Sequence, residues 1–338
     1  MQKTLDMLSA KHIYDQTDVS DLSGKTALVT GGSQGIGFEV ARAFALSKAR
    51  VLLLCREGDK AEEAISKIKQ SDNPNADIEF YPCDLGDLRN VKAIADRIGE
   101  NESRLDLLIA DAGVGVNKFD LSADGIDRHF SVNYLGHYLL INRLLPLMRH
   151  TSTLANTPPP RIVSISSELH RAAPSSIQFA SISELGEKAS TQMPMTAVSL
   201  YARSKLAMIL FTKYGLVERV IKPNGDDLIA VATHPGAVHT GQQDQFKEAY
   251  GKPLGTVLKH VVTPFMRDPE QGSLSTLWAA TSDEVKQGMY YTDPGENGKE
   301  SAQASDEKLG ANLWMLSEQL VRERLGDNAL LPWQKETN

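Results

Sequence analysis

Short, largely apolar runs alternate along most of this chain with longer stretches whose apolar residues recur at helical spacing. The runs fall at 26–30, where Ala27, Leu28 and Val29 stand together, and at 50–55, 78–83, 105–110, 161–166 and 228–232. Such runs suit parallel strands buried on both faces. After the first comes an amphipathic pattern with Phe38, Ala41, Phe44 and Ala45 on one side and Glu39 and Arg42 on the other. A charged helix is predicted over 59–70, and Val91, Ile94, Ala95 and Ile98 mark another over 87–99. Long helices follow over 127–148 and 198–219, one starts near Gln271, and Leu313, Leu316, Leu320 and Val321 give a packing helix near the C-terminus. Strands and helices alternate with no linker between them, which predicts one large α/β domain with appendages.

Composition narrows the function. A net charge of −7 and the absence of a basic block argue against nucleic-acid binding. Cys55 and Cys83 make no disulfide framework and read as small core residues. His129, His137, His150, His170 and His234 show no metal-ligand spacing on one element, so no metal site is expected. Residues 1–24 carry Lys3, Asp6, Lys11, Asp15, Asp18 and Asp21. No apolar run there approaches the ~20 residues of a membrane span, and there is no signal-peptide core. The expectation is a cytoplasmic protein with no membrane span, in which the Asn101-Glu102-Ser103 sequon has no consequence.

Two motifs carry chemistry. Thr30-Gly31-Gly32-Ser33-Gln34-Gly35-Ile36-Gly37 sits between the first strand and the first helix. Gly31, Gly35 and Gly37 permit a tight turn, close backbone approach to a pyrophosphate and close helix packing, with the phosphates at the helix N-terminus. Gly24-Lys25-Thr26 is no Walker A loop, because Val19 stands where the earlier glycine would be. In Tyr201-Ala202-Arg203-Ser204-Lys205, a Tyr four residues before a Lys places phenol and ammonium on one helix face. At ~4 Å and a dielectric of ~20 the ammonium would stabilise a phenolate by about 4 kcal/mol. That corresponds to roughly three pKa units and would bring the phenol toward neutrality.

With these motifs the chain resembles the short-chain dehydrogenase/reductase family, from about Lys25 to about Asp293. Cys55-Arg56, Asn133-x-x-Gly136-His137 and Gly288-Met289-Tyr290-Tyr291 resemble its retinol-dehydrogenase-like branch. The resemblance implies a doubly wound Rossmann fold with a mostly parallel sheet of about seven strands. It implies a catalytic set of Asn133, Ser167, Tyr201 and Lys205. It also implies cofactor contacts from Gly31, Ser33, Gln34, Gly35, Ile36 and Gly37, from Asp84 and Leu85 beside the adenine, and from Ala112 and Gly113. Pro235, Gly236, Val238 and Thr240 would close over the nicotinamide, while Tyr201 and Lys205 would also touch it. In the implied chemistry Tyr201 exchanges a proton with the substrate oxygen, Ser167 holds that oxygen, Lys205 bonds the nicotinamide ribose, and Asn133 holds a water leading to solvent. The substrate class is a lipophilic carbonyl or alcohol, and a homodimer is compatible with the resemblance.

Cofactor choice turns on the end of the second strand. A carboxylate there would repel a 2′-phosphate, whereas this chain has Cys55 followed by Arg56, whose guanidinium can grip one; NADP(H) is therefore expected. One departure from the resemblance stands out: the family usually has Asn-Asn-Ala-Gly or a similar sequence after the fourth strand, and here it is Ala110-Asp111-Ala112-Gly113. An ionised Asp111 accepts hydrogen bonds but cannot donate them. Segments 168–197 and 241–270 interrupt the regular order and are candidates for substrate walls, the second as a lid. His170 follows Ser167 closely enough to line the pocket, and 151–160 reads as a surface connection. The division expected is a 1–24 extension, a single domain over 25–300 and a C-terminal helix and tail over 301–338. Against the oxidoreductase stands a second class, a cofactor-binding module serving regulation or assisting a cyclisation. The intact catalytic set favours the enzyme.

Overall fold

A computed structural model describes residues 14–71, 73–185, 196–238 and 267–335. Its centre is an eight-stranded sheet built from β1 (Thr26–Thr30), β2 (Arg50–Cys55), β3 (Ile78–Pro82), β4 (Leu107–Ala110), β5 (Arg161–Ile165), β6 (Ile229–Thr233), β7 (Tyr290–Asp293) and β8 (Glu296–Asn297). The spatial order is β3-β2-β1-β4-β5-β6-β7-β8, parallel throughout except for β8, which runs antiparallel to β7. The sheet is thus one strand larger than expected. Two-residue β8 turns back from β7 at Gly295, whose φ is +75°, and offers no apolar run for periodicity to register.

Side chains alternate across each strand, and this decides which core they join. Leu28, Leu52 and Leu54 face one layer, with the helices α3 (Leu88–Asn101), α4 (Gly136–Ser152), α5 (Ala197–Leu210) and α7 (Glu307–Leu325). Ala27, Val29, Val51 and Leu53 face the other, with α1 (Gly35–Leu46), α2 (Gly58–Ser71) and α6 (Pro269–Thr281). Because both faces are covered, every residue of β1 is buried, and the strand reads as an unbroken apolar run. The sheet order reverses between β1 and β4, so a crevice opens at the C-terminal strand ends there.

Helix starts follow local chemistry. Asp87 accepts from the N–H groups of Arg89 and Asn90, Thr196 from that of Ser199, Asp268 from that of Gln271 and Asp306 from that of Leu309. The helix expected over 127–148 begins earlier as a turn at Arg128–Phe130 and passes through a wide, π-type segment, Ser131–Leu135, before α4. Beyond α5 the chain likewise continues as a π-type segment, Phe211–Ile221. Leu313, Leu316, Leu320 and Val321 of α7 are buried, as their spacing predicts, and Trp314 packs on Trp333 with ring centroids 4.9 Å apart. No helix among the described residues is long and apolar enough to cross a membrane.

The insertion after β5 is packed over its described part. Ile177, Phe179 and Leu185 are buried, the Leu185 carbonyl accepts from the Asp127 N–H at 2.7 Å, and the Glu184 carbonyl accepts from Arg203 at 2.5 Å. Residues 186–195 and 239–266 lie outside the described residues, and with them Thr240 and all but 267–270 of the segment 241–270 expected as a lid.

Arg203 points away from Tyr201 on α5 into a buried cluster. Its guanidinium donates to Asp127 at 2.9 Å, and Asp127 also contacts His129 at 3.2 Å and caps the Phe130 N–H at 3.1 Å. Burial opposes ionisation of Asp127, but the His129 hydrogen bond and the Arg203 charge outweigh it and hold the carboxyl below its usual range. Removing one member of such a pair strands the other charge, so Asp127→Ala should cost about 3–5 kcal/mol of stability. Urea denaturation tests this; a loss below about 1 kcal/mol would place the cluster among ordinary surface pairs.

Candidate active site

The glycine loop forms the near wall of a cavity of about 780 Å³ at the reversal point of the sheet. Gly31 takes φ +71°, and a Cβ there would stand 2.9 Å from the Ala112 Cα. A Cβ on Gly37 would meet the Gly31 carbonyl oxygen at 2.6 Å and Asp111 Oδ2 at 2.7 Å. Only glycine lets loop, β4 end and α1 approach this closely. Ser33, Gln34, Gly35 and Ile36 line the cavity with Gly31, whereas Gly37 lies behind it and serves the packing.

Thr30 fastens this wall to the rest of the site. Its hydroxyl oxygen accepts from the main-chain N–H groups of Asp111 at 3.0 Å and Ala112 at 2.9 Å. It lies 2.8 Å from His137 Nε2, while His137 Nδ1 lies 3.1 Å from the Asn133 carbonyl. A carbonyl can only accept, so Nδ1 carries the proton and Nε2 accepts the Thr30 O–H. Burial pushes the imidazole down to about 4, in keeping with this neutral form. His137 thereby links Thr30 to the Asn133 carbonyl and is a structural relay rather than an idle helix residue.

The catalytic residues implied by the resemblance come together, with different degrees of access. Ser167, Tyr201 and Lys205 line the cavity. Ser167 stands beside the Tyr201 phenol, and the Lys205 ammonium donates to the Ile165 carbonyl at 2.9 Å. Asn133 is buried behind them. Its carboxamide accepts from the Val114 N–H at 2.7 Å and donates to the Val114 carbonyl at 3.0 Å and to Ser204 at 2.9 Å. Ser204 in turn donates to the Tyr201 carbonyl at 2.7 Å. Asn133 therefore fixes the turn after β4 against the helix of Tyr201.

The electrostatics differ from the sequence expectation. Lys205 Nζ is 5.7 Å from the Tyr201 ring centroid, and burial pushes the phenol up to about 12 against the lowering effect of Ser167. The negative charge of Asp111 raises it further. Burial pushes Lys205 down to about 8, opposed by Asp111, and pushes Asp111 up to about 6, opposed by Lys205 and the Gly37 N–H. Burial, which the Tyr-to-Lys spacing does not reveal, is the chief reason the phenol is not brought toward neutrality, and the Asp111 charge adds to it.

At the far end, Arg56, Asp84 and Leu85 line the cavity as expected, joined by Glu57 and Lys60. Glu57 pairs with Arg56 at 3.2 Å and with Lys60 at 2.9 Å. Lys60 was legible as a second cation four residues after Arg56, at the start of α2, yet the strand-end rule looks only at the residues beside β2. Ala112, Gly113, Pro235, Gly236 and Val238 also line the cavity, and a Cβ on Gly236 would meet Arg267 at 2.9 Å. Thr240 lies outside the described residues. His170 does not line the cavity: it is fully buried, held by the Ser167 carbonyl at 2.7 Å and the Ser301 N–H at 3.1 Å. Glu168, Leu169 and Arg171 line it instead, with Arg171 bound to Glu168 at 2.6 Å. No cluster of potential metal ligands occurs among the described residues.

Comparison with known proteins identifies the family. Residues 25–178 match the short chain dehydrogenase family. The chain is 34% identical over 321 residues to the mitochondrial oxidoreductase bli-4 of Neurospora crassa, covering 92% of this chain and 75% of that protein. It is 31% identical over 302 residues to mouse retinol dehydrogenase 12, covering 89% and 87%. A crystal structure of an uncharacterized protein from Mycobacterium Paratuberculosis superposes with a TM-score of 0.69 at 26% identity, covering 91% of this chain and 97% of that one. The chain belongs to the short-chain dehydrogenase family, in its retinol-dehydrogenase-like branch.

Proposed function

We propose that this oxidoreductase uses NADP(H) to move a hydride between the nicotinamide and the carbonyl or alcohol carbon of a lipophilic small molecule. The observation that carries the reading is the convergence of Ser167, Tyr201 and Lys205 on one cavity whose other end bears Arg56 and Lys60. A dinucleotide fits this chain's own residues: the cradle at Gly31 is closed to any side chain, and Arg56 and Lys60 stand beside Cys55, paired with Glu57, which must release them to a phosphate. Bound there, the nicotinamide supplies or receives the hydride. In reduction, the Tyr201 hydroxyl gives its proton to the carbonyl oxygen, and Ser167 donates a hydrogen bond that stabilises the charge developing on it. Lys205 holds the ribose, and Asn133 holds the backbone of Tyr201 in register through Ser204. Val116, Leu169 and Val238 give the lining an apolar share, which suits a lipophilic substrate.

Two predictions follow from these roles. Tyr201→Phe removes the proton donor without emptying the nucleotide cleft, so turnover of a lipophilic carbonyl should fall about a hundredfold or more, with NADPH affinity nearly unchanged. Lys205→Ala should impair both. Steady-state kinetics with fluorescence titration of NADPH separates the two effects, and Tyr201→Phe activity within tenfold of the parent contradicts the assignment.

For the phosphate end, one charge-assisted contact is worth ~1.5 to 3 kcal/mol, so Arg56→Ala should lower the NADPH-over-NADH ratio of kcat/KM about ten- to a hundredfold. Lys60→Ala should act in the same direction. A parent that prefers NADH, or an unchanged ratio in Arg56→Ala, shows that the phosphate site is misassigned.

A further inference from the structure

His170 is a buried titratable group that the proposed chemistry leaves unused, and its hydrogen bonds define its state. Its Nδ1 lies 2.7 Å from the Ser167 carbonyl, which can only accept, so Nδ1 carries the proton. Its Nε2 lies 3.1 Å from the Ser301 main-chain nitrogen, whose N–H can only donate, so Nε2 accepts. The side chain is therefore a neutral imidazole with both nitrogens engaged. Burial lowers its pKa from the ordinary value, against the opposing effect of the Ser167 carbonyl, in keeping with that form. The Tyr290 ring of β7 stands edge-on to it, with ring centroids 5.5 Å apart.

Neighbouring contacts run the same way, from the turn after β5 to β7 and the residues beyond it. Tyr290 donates to Glu168 Oε1 at 3.1 Å, Arg171 donates to the Lys299 carbonyl, and Gln303 donates to the Pro174 carbonyl at 3.0 Å. Glu168 and Arg171 line the cavity, whereas His170 holds the turn from its buried side. Among these contacts it is His170 that reaches Ser167 itself. The Ser167 carbonyl takes both the His170 ring and the His170 main-chain N–H, the latter at 2.9 Å, while Ser167 Oγ accepts the Leu169 N–H at 3.2 Å. Backbone and hydroxyl of Ser167 are thereby set in one frame.

Resting on the proposed function, we propose that His170 is a positioning residue for Ser167: by joining the Ser167 carbonyl to the Ser301 N–H, it holds the Ser167 hydroxyl where charge develops on the substrate oxygen. His170 does not line the cavity, so it acts through Ser167 alone. Its effect falls on the transition state, in which the oxygen is most negative, and leaves the binding of cofactor and substrate nearly untouched.

Two substitutions separate the two bonds. His170→Asn keeps an amide N–H near the Nδ1 position for the Ser167 carbonyl but is too short for Ser301. His170→Gln brings an amide oxygen near the Nε2 position for the Ser301 N–H but leaves the Nδ1 position without a donor. In steady-state reduction of a lipophilic carbonyl, kcat should fall about tenfold or more in His170→Gln and stay within about threefold of the parent in His170→Asn. KM for the carbonyl and the NADPH affinity should be nearly unchanged in both. A parental kcat in His170→Gln, or a His170→Asn variant as impaired as His170→Gln, overturns the proposal. So does a loss that appears in NADPH affinity with kcat intact. The second readout uses the parent alone, without cofactor or substrate, and so holds even where circular dichroism shows a variant misfolded. Nitrogen-edited NMR of the imidazoles, with the His170 ring assigned through its own backbone resonances, should show one neutral Nδ1–H tautomer whose proton exchanges slowly. An Nε2–H tautomer, or a ring averaging between tautomers, overturns the proposal. A parent that turns over neither carbonyls nor alcohols overturns the functional reading instead, and the NMR still decides whether His170 is locked between Ser167 and Ser301.

Discussion

The hydroxyl of Thr30 holds the site together. It accepts two N–H groups from the turn after β4 and donates its own O–H to His137 Nε2, while His137 Nδ1–H donates to the Asn133 carbonyl. Three separate elements, the end of β1, the end of β4 and the π-type start of α4, are thereby joined at one oxygen. Asn133 then carries the constraint to α5 through Ser204. Each of these groups is buried and satisfied, and leaving a buried polar atom unpaired costs about 1–3 kcal/mol. The cleft walls are therefore fixed by the same bonds that satisfy the core.

On that frame the charges can be placed sparingly. Lys205 is buried with a carbonyl as its direct partner and Asp111 as its counter-charge. A second buried pair, Asp127 with Arg203, sits on the opposite side of α5 and ties the helix to the segment after β5. The helix that presents Tyr201 is thus held from both flanks by ionic and polar contacts, while apolar packing surrounds it. The phenol and Ser167 are left facing the cavity, where the geometry serves a substrate oxygen.

Much of this was legible in the sequence, for identifiable reasons. The central strands of a sheet covered on both faces are largely apolar, so β1, β2 and β4 to β6 announced themselves, while the edge strand β3, with Glu79 inside it, was marked more weakly, and the glycines marked where backbone must approach backbone. Tyr201 and Lys205 were marked by their spacing on one helix face, and Ser167 by the family resemblance. What escaped depended on contacts between residues far apart in the chain. The Thr30 to His137 bond spans 107 positions and the Asp127 to Arg203 pair 76, with no local pattern to mark either. His170 was drawn toward the pocket by its nearness to Ser167, yet the tight turn at Glu168–Ala172 rolls it inward. The Tyr201 phenol was expected near neutrality because spacing reveals a neighbouring cation but neither the burial of the phenol nor a carboxylate from β4.

A crystal structure of the chain with NADPH bound tests the central claim most directly, that one cavity joins a phosphate-binding end to a proton-transfer end. The account predicts the adenosine phosphate between Arg56 and Lys60, the pyrophosphate over Gly35 and Ile36, and the nicotinamide facing Ser167 and Tyr201. A phosphate away from both cations, or a nicotinamide ring turned away from Tyr201, would contradict it.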